Sequence, residues 1–297
     1  MIHAVMKPSE STFVQIRGLR YHCRRWGEAR HPTLFLLHGW MDVSASFQFL
    51  VDAFEREWHV IAPDWRGYGE TAWAGSDSYW YPDYFADLDH LLEHFHAGAP
   101  ATLIGHSMGG NVASMYAGIR PERVARLVNL EGFGLARTEA RQAPRRYARW
   151  LEELAGDPPS FRDYESFEAL AQRLRSGNPR LSAERASFLA RHWGKAKPDG
   201  RVAMASDPAH KLVNPVLYRV EEAEACWRNV TAPVLWVSGA ESGTPSMLKL
   251  ASDDLAARKA CFQRLTERVI ADSGHMLHHD QPEELAEIIE EFLQPAA

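Results

Sequence analysis

Apolar positions along this chain change period several times. Residues 13–17 and 21–26 alternate apolar with polar, and this period of two predicts two early antiparallel strands. Later runs at 33–37, 59–62, 102–104, 124–130, 233–237 and 268–271 are short and largely apolar without alternation. Runs of this kind suit interior strands of a mostly parallel sheet covered on both faces.

Between the runs the period lengthens to that of a helix. Residues 83–96 carry Phe85, Leu88, Leu91, Leu92 and Phe95 on one side, and residues 108–117 are small and apolar, as in a helix laid on a sheet. The last helix is predicted to start with Asp280 as N-cap and Pro282 near the first position. Glu283 and Glu284 then lie at the positive end of its dipole. This alternation predicts an α/β fold, a doubly wound and mostly parallel sheet of eight strands. It stops between residues 135 and 227, where charged helical runs are broken at Asp157-Pro158-Pro159 and Asn178-Pro179. That span is read as a helical insertion between two sheet strands.

The 297 residues are 45% hydrophobic and 24% charged, enough to bury the core of one large domain. A net charge of −6 lacks the basic footprint of a nucleic-acid binder. No apolar run approaches the roughly 18 residues of a membrane span, and residues 1–14 hold no signal-peptide core. Cys23, Cys226 and Cys261 are too scattered for a disulfide framework, which fits a reducing, cytoplasmic setting.

The strongest chemical signal is Gly105-His106-Ser107-Met108-Gly109, lying between a predicted strand and a predicted helix. In that context G-x-S-x-G is a nucleophile elbow: the serine stands on a strained turn, and the glycines avoid collision with the neighbouring backbone. Ser107 then sits at a helix N-terminus, where N–H groups favour developing negative charge. A hydroxyl needs a base. His275, in the loop after the last strand, is the candidate, because that loop lies at the same sheet edge as the elbow. His106 is expected to point away from its neighbour, and His278 and His279 to serve in packing or face solvent. His90, His94 and His96 lack the carboxylate or cysteine partners of a metal site. The acid between Ser and His in chain order is open. Glu131, at the end of the 124–130 run, is preferred, since a carboxylate in apolar surroundings demands a partner. Glu241 and Asp272 are the alternatives, and Ser242 stands where an acid would be expected. The oxyanion hole is assigned to the backbone N–H groups of Met108 and Trp40, the latter following His38-Gly39.

Together these residues resemble the α/β-hydrolase superfamily. The likeness is carried by His38-Gly39-Trp40, by Pro63-Asp64-Trp65-Arg66-Gly67-Tyr68-Gly69-Glu70, by the elbow, and by Ser273-Gly274-His275-Met276 with its Pro282-Glu283 helix. The span from Glu131 through the insertion is similar to the serine hydrolase-like group, including an acid after the sixth strand. Haloalkane dehalogenases place an acid there too but use an Asp nucleophile; Ser107 argues against dehalogenase or epoxide hydrolase chemistry. The resemblance implies an eight-stranded core of residues 1–134 and 228–297, a helical cap at residues 135–227 inserted after the sixth strand, and a structural role for Asp64 and Arg66.

The activity expected is hydrolysis of a small ester with an apolar or aromatic acyl part, through an acyl-enzyme and without metal or organic cofactor. Thioester, lactone, carbon–carbon or perhydrolase chemistry would use the same groups, and a non-catalytic ligand-binding protein is the reading from another class. The expected partner is a small-molecule substrate, not nucleic acid or membrane; oligomeric state is not legible in the sequence. Trp40, Phe133, Trp150, Phe161, Trp193 and Met276 are the expected pocket residues. Arg137, Arg141, Arg145 and Arg149 are expected to form a solvated helix face interrupted by Pro144, with attraction of a carboxylate or acyl-CoA substrate as the alternative.

Overall fold

The computed structural model describes residues 6–294, so the first five and last three residues of the expected core lie outside it. The alternating stretch at the start folds as two strands, β1 (Ser9–Ile16) and β2 (Leu19–Trp26), paired antiparallel. Arg17 and Gly18 turn the chain between them at positive φ. The apolar runs become β3 (Thr33–Leu37), β4 (His59–Pro63), β5 (Ala101–His106) and β6 (Val124–Leu130).

Two three-residue strands, β7 (Gly194–Ala196) and β8 (Val202–Met204), form a separate antiparallel hairpin. The sheet resumes with β9 (Val234–Gly239) and β10 (Leu265–Ile270). Its eight strands run β1-β2-β4-β3-β5-β6-β9-β10. All neighbours from β4 to β10 pair parallel.

The apolar runs are continuous because both sheet faces are covered. Along β3, Phe35 and Leu37 join one buried cluster, while Leu34 and Leu36 join the other. The first cluster lies under α2 (Tyr81–His96) and α3 (Met108–Ile119). The second lies under α1 (Gln48–Ala53) and α11 (Pro282–Leu293).

The segment between β6 and β9 holds α4 (Ala143–Ala155), α5 (Phe167–Gly177) and α6 (Ala183–Trp193), then the hairpin and α7 (Val220–Arg228). The hairpin was not anticipated, because strands of three residues are too short to show a period. Val202 anchors it against Leu170 and Ala190. Helix α7 packs on α3, with Val220, Ala223 and Trp227 in the sheet-side cluster, so the chain rejoins the core layer before residue 228. Three short helices follow in the last part: α8 (Thr244–Met247), α9 (Ser252–Lys259) and α10 (Leu277–Asp280).

The expected cap at Asp280 is corrected. Gln281 is the N-cap of α11, with Pro282 in its first turn. The Asp280 carboxylate instead accepts from Gly274 N at 2.9 Å and Asn178 Nδ2 at 2.7 Å, which ties down the loop carrying His275.

Candidate active site

Ser107 lies between the last residue of β5 and the first of α3, with φ 52° and ψ −113°. Non-glycine residues rarely hold a positive φ, so this turn stores strain. Neighbouring bonds hold it: Ser107 N donates to Leu130 O at 2.8 Å, and Asn111 N donates to Ser107 O at 2.9 Å. A Cβ at Gly105 would overlap the Gly109 carbonyl, and one at Gly109 would overlap that of Leu37. The elbow is thus packed against β3 on one side and its own helix on the other.

The structure brings Ser107, His275 and Glu131 together. His275 Nε2 stands 2.9 Å from Ser107 Oγ, and His275 Nδ1 stands 3.0 Å from Glu131 Oε2. Glu131 follows β6 at φ 60° and is 1% exposed. Its buried carboxylate is compensated: Oε1 accepts from Gly239 N at 2.9 Å, and Oε2 accepts from the Ser242 hydroxyl. The other acids lie elsewhere. Glu241 pairs with Arg180 at the surface, and Asp272 is exposed on a turn at positive φ.

Sequence reasoning missed Thr244, whose Oγ1 lies 2.9 Å from His275 Nδ1. No spacing rule would have found it, because the contact joins the start of α8 to the loop carrying His275.

His106 points away from the elbow's open side, and its Nε2 lies 2.8 Å from the carbonyl oxygen of His275. Below it lie Asp42 and His278, both buried. Burial pushes the His106 and His278 imidazoles well below their ordinary range and the Asp42 carboxyl up to about 7. Among the described residues, Asp42, His106 and His278 form the group spaced to hold a metal ion, not His90, His94 and His96. Asp42 Oδ2 and His278 Nε2 are 3.8 Å apart. Tetrahedral zinc ligands sit about 3.4 Å from one another, so this spacing is loose for a coordination sphere. The group forms a buried, polar base beneath the His275 loop.

A cavity of about 550 Å³ opens over Ser107, Met108 and His275. Trp80, Tyr81, Tyr84 and Phe133 give it an aromatic wall, and Leu135, Leu212 and Leu248 add aliphatic surface. Trp40, 57% exposed, and Met247, 73% exposed, also line it and mark its mouth. As the first residue of α3, Met108 has an N–H without an intrahelical acceptor. His210 is stacked between Tyr68 and Tyr79, with ring centroids 3.9 and 3.8 Å away. Burial pushes its imidazole down to about 3, so it is neutral near pH 7. Among the described residues, no Lys or Arg lines the cavity.

Four expected pocket residues are corrected: Trp150, Phe161, Trp193 and Met276 are not in the cavity wall. Trp193 ends α6, and its indole N–H donates to Ser46 Oγ at 3.1 Å, tying the inserted segment to the core. Trp150 lies on the half-buried side of α4, with its indole nitrogen enclosed. Phe161 carries the Lys211 ammonium over its ring. Met276 sits where the chain turns into α10, and its carbonyl accepts from His279 N and Asp280 N.

The arginine row stays out of the cavity as well. Arg137 pairs with Glu221, Arg141 with Glu139, and Arg149 with Glu153. Pro144 opens α4 instead of interrupting it.

A profile of the α/β hydrolase fold matches residues 32–282. Over 277 residues the chain is 27% identical to the Serine hydrolase-like protein of Danio rerio, spanning 91% of this chain and 84% of that protein. It is 24% identical over 284 residues to Serine hydrolase-like protein 2 of Homo sapiens, spanning 91% and 90%. In fold it matches a thioesterase domain from the curacin biosynthetic pathway, with TM-score 0.85, 24% identity, and 96% and 99% of the two chains covered. The chain belongs to the α/β hydrolase fold family and is similar to its serine hydrolase-like members.

Proposed function

We propose that this protein is a serine hydrolase that cleaves a small carboxylic ester through an acyl-enzyme. The carrying observation is the 2.9 Å approach of His275 Nε2 to Ser107 Oγ, with a buried carboxylate on the other ring nitrogen. His275 takes the proton as Ser107 Oγ attacks the carbonyl carbon. Glu131 orients the ring and stabilises its charged form. The N–H groups of Met108 and Trp40 receive the oxyanion. Expulsion of the alcohol takes the proton back from His275, and water activated by the same ring then hydrolyses the acyl-enzyme. These steps need only the protein's side chains, backbone N–H groups and water.

The acyl part is assigned as neutral and apolar or aromatic. A carboxylate or phosphate entering a cavity whose wall holds no Lys or Arg among the described residues would lose hydration without gaining a charged partner. The segment between β6 and α7 acts in this reading as a cap that closes one side of the pocket. Ala209, Leu212 and Asn214 of that segment line the cavity and support this role. The scattered cysteines fit action in a reducing compartment.

Fluorophosphonate labelling tests the reading. The wild-type chain is expected to be labelled at Ser107 and Ser107→Ala to be inert, with ester turnover lost by several orders of magnitude. A wild-type chain that resists the probe would favour a ligand-binding role, and full esterase activity in Ser107→Ala would overturn the mechanism. A panel of esters, thioesters and lactones of graded chain length then fixes the bond cleaved.

A further inference from the structure

His275 Nδ1 has two oxygen neighbours: Glu131 Oε2 at 3.0 Å and Thr244 Oγ1 at 2.9 Å. One Nδ1–H faces both. The loop after β9 makes these contacts without supplying the acid. Its Gly239 N and Ser242 hydroxyl bind the Glu131 carboxylate, and Thr244 N donates to Ser242 Oγ at 3.3 Å. The loop's own carboxylate, Glu241, turns outward to Arg180. The loop therefore clamps the acid with one hydroxyl and meets the base with the next.

We propose that Thr244 is a positioning residue: its hydroxyl shares the His275 Nδ1 proton with Glu131 and holds the ring with Nε2 toward Ser107. This deepens the proposed function and rests on it. A single acceptor leaves a ring free to tilt about one hydrogen bond, whereas two acceptors from different segments restrict that tilt. The His275 side chain is 32% exposed, so the restraint matters when substrate enters. Thr244 itself is buried and lies in the cavity wall, close enough to act but not to attack. When the Ser107 proton reaches Nε2 the ring becomes cationic, and an oxygen lone pair directed at Nδ1–H stabilises the cation more than the neutral ring. Thr244 only accepts; no proton passes to it.

The test compares Thr244→Val, which keeps the shape, with Thr244→Ser, which keeps the hydroxyl. It is run on the full chain with a neutral ester, a fluorophosphonate probe and nitrogen-edited NMR of the His275 Nδ1 proton. Thr244→Val is expected to slow acylation about tenfold, with KM changed less than about twofold. It should also move the acid limb of the labelling rate roughly half a pH unit lower, since the imidazolium loses an acceptor. The Nδ1 proton resonance should shift, and Thr244→Ser should restore all three readouts. An unchanged rate, limb and resonance in Thr244→Val would overturn the proposal. So would equal losses in both variants with a lowered thermal midpoint, the signature of packing alone. The resonance needs no turnover. If wild-type Ser107 resists the probe, the hydrolase reading fails, while the shift in Thr244→Val still decides whether Thr244 holds the ring.

Discussion

Glu131 Oε2 stands 3.0 Å from His275 Nδ1 although 144 positions separate the two residues in the chain. Sheet order makes this possible. β6 lies directly beside β5, which ends at the elbow, whereas β9 is one strand further out. An acid leaving β6 at positive φ turns into the space beside His275. The loop after β9, freed from that duty, supplies hydroxyl and N–H donors to the same carboxylate.

That relationship separates the candidate acids. Glu131→Gln is expected to lower ester turnover by about 10²–10⁴-fold, because an amide no longer fixes the tautomer or balances the imidazolium. Glu241→Gln breaks only a surface pair with Arg180 and should change turnover less than about twofold. Initial rates on one ester decide it; equal losses in the two variants would contradict the assignment.

Strain at the elbow predicts a trade of stability for activity. Ser107→Gly relieves the positive φ and should raise stability by about 1 kcal/mol, roughly 2 °C in thermal midpoint, while abolishing turnover. Gly109→Ala should act oppositely, costing about 3 kcal/mol or more, since its Cβ overlaps the Leu37 carbonyl. Thermal melts with matched activity assays check both.

The cavity wall predicts which side chains set acyl length. Leu248→Trp adds bulk to the wall and should shift the optimum to shorter chains, with kcat/KM for the longest ester falling about tenfold or more. Trp193→Phe removes the bond to Ser46 and should cost about 1 kcal/mol of stability without moving the optimum. A chain-length series of neutral esters distinguishes them.

Buried neutral histidines predict acid sensitivity. Burial pushes His38 down to about 4 and His279 down to about 3. It also holds His106 and His278 well below their ordinary range. In the unfolded chain such rings titrate near ~6.5. Below that value the unfolded state binds more protons, so stability is full above it and declines as the pH falls toward about 4. Each such ring steepens the decline by up to ~1.4 kcal/mol per pH unit, and His279→Gln should flatten it by about one proton. Urea denaturation across this window checks the slope; stability that rises on acidification would refute it.

Interior strands were legible because burial on both faces writes a short apolar run into the chain. Edges were less so. β10 begins at Leu265, but Thr266 and Glu267 hide its first turns of pleat, because an edge strand has exposed positions. Histidine roles divide the same way. His275 could be read from its loop, whereas burial of His278 and His279 depends on packing that no local period records. Aromatic residues near a motif or in an inserted segment were weak guides to the pocket: Phe133 lines it and Trp193 does not.

By itself the amino-acid order determined what local geometry controls: the strand–helix alternation, the insertion, and the glycine-flanked serine at a strand–helix turn. Those features depend on neighbours within a few residues, where steric exclusion and periodicity act. Tertiary structure decided which carboxylate meets His275, that Thr244 joins it, and which aromatic rings face the cavity. Each of these is a matter of a few ångströms between segments far apart in the chain. Strand order and the packing of the inserted segment set those distances, and no local pattern carries them.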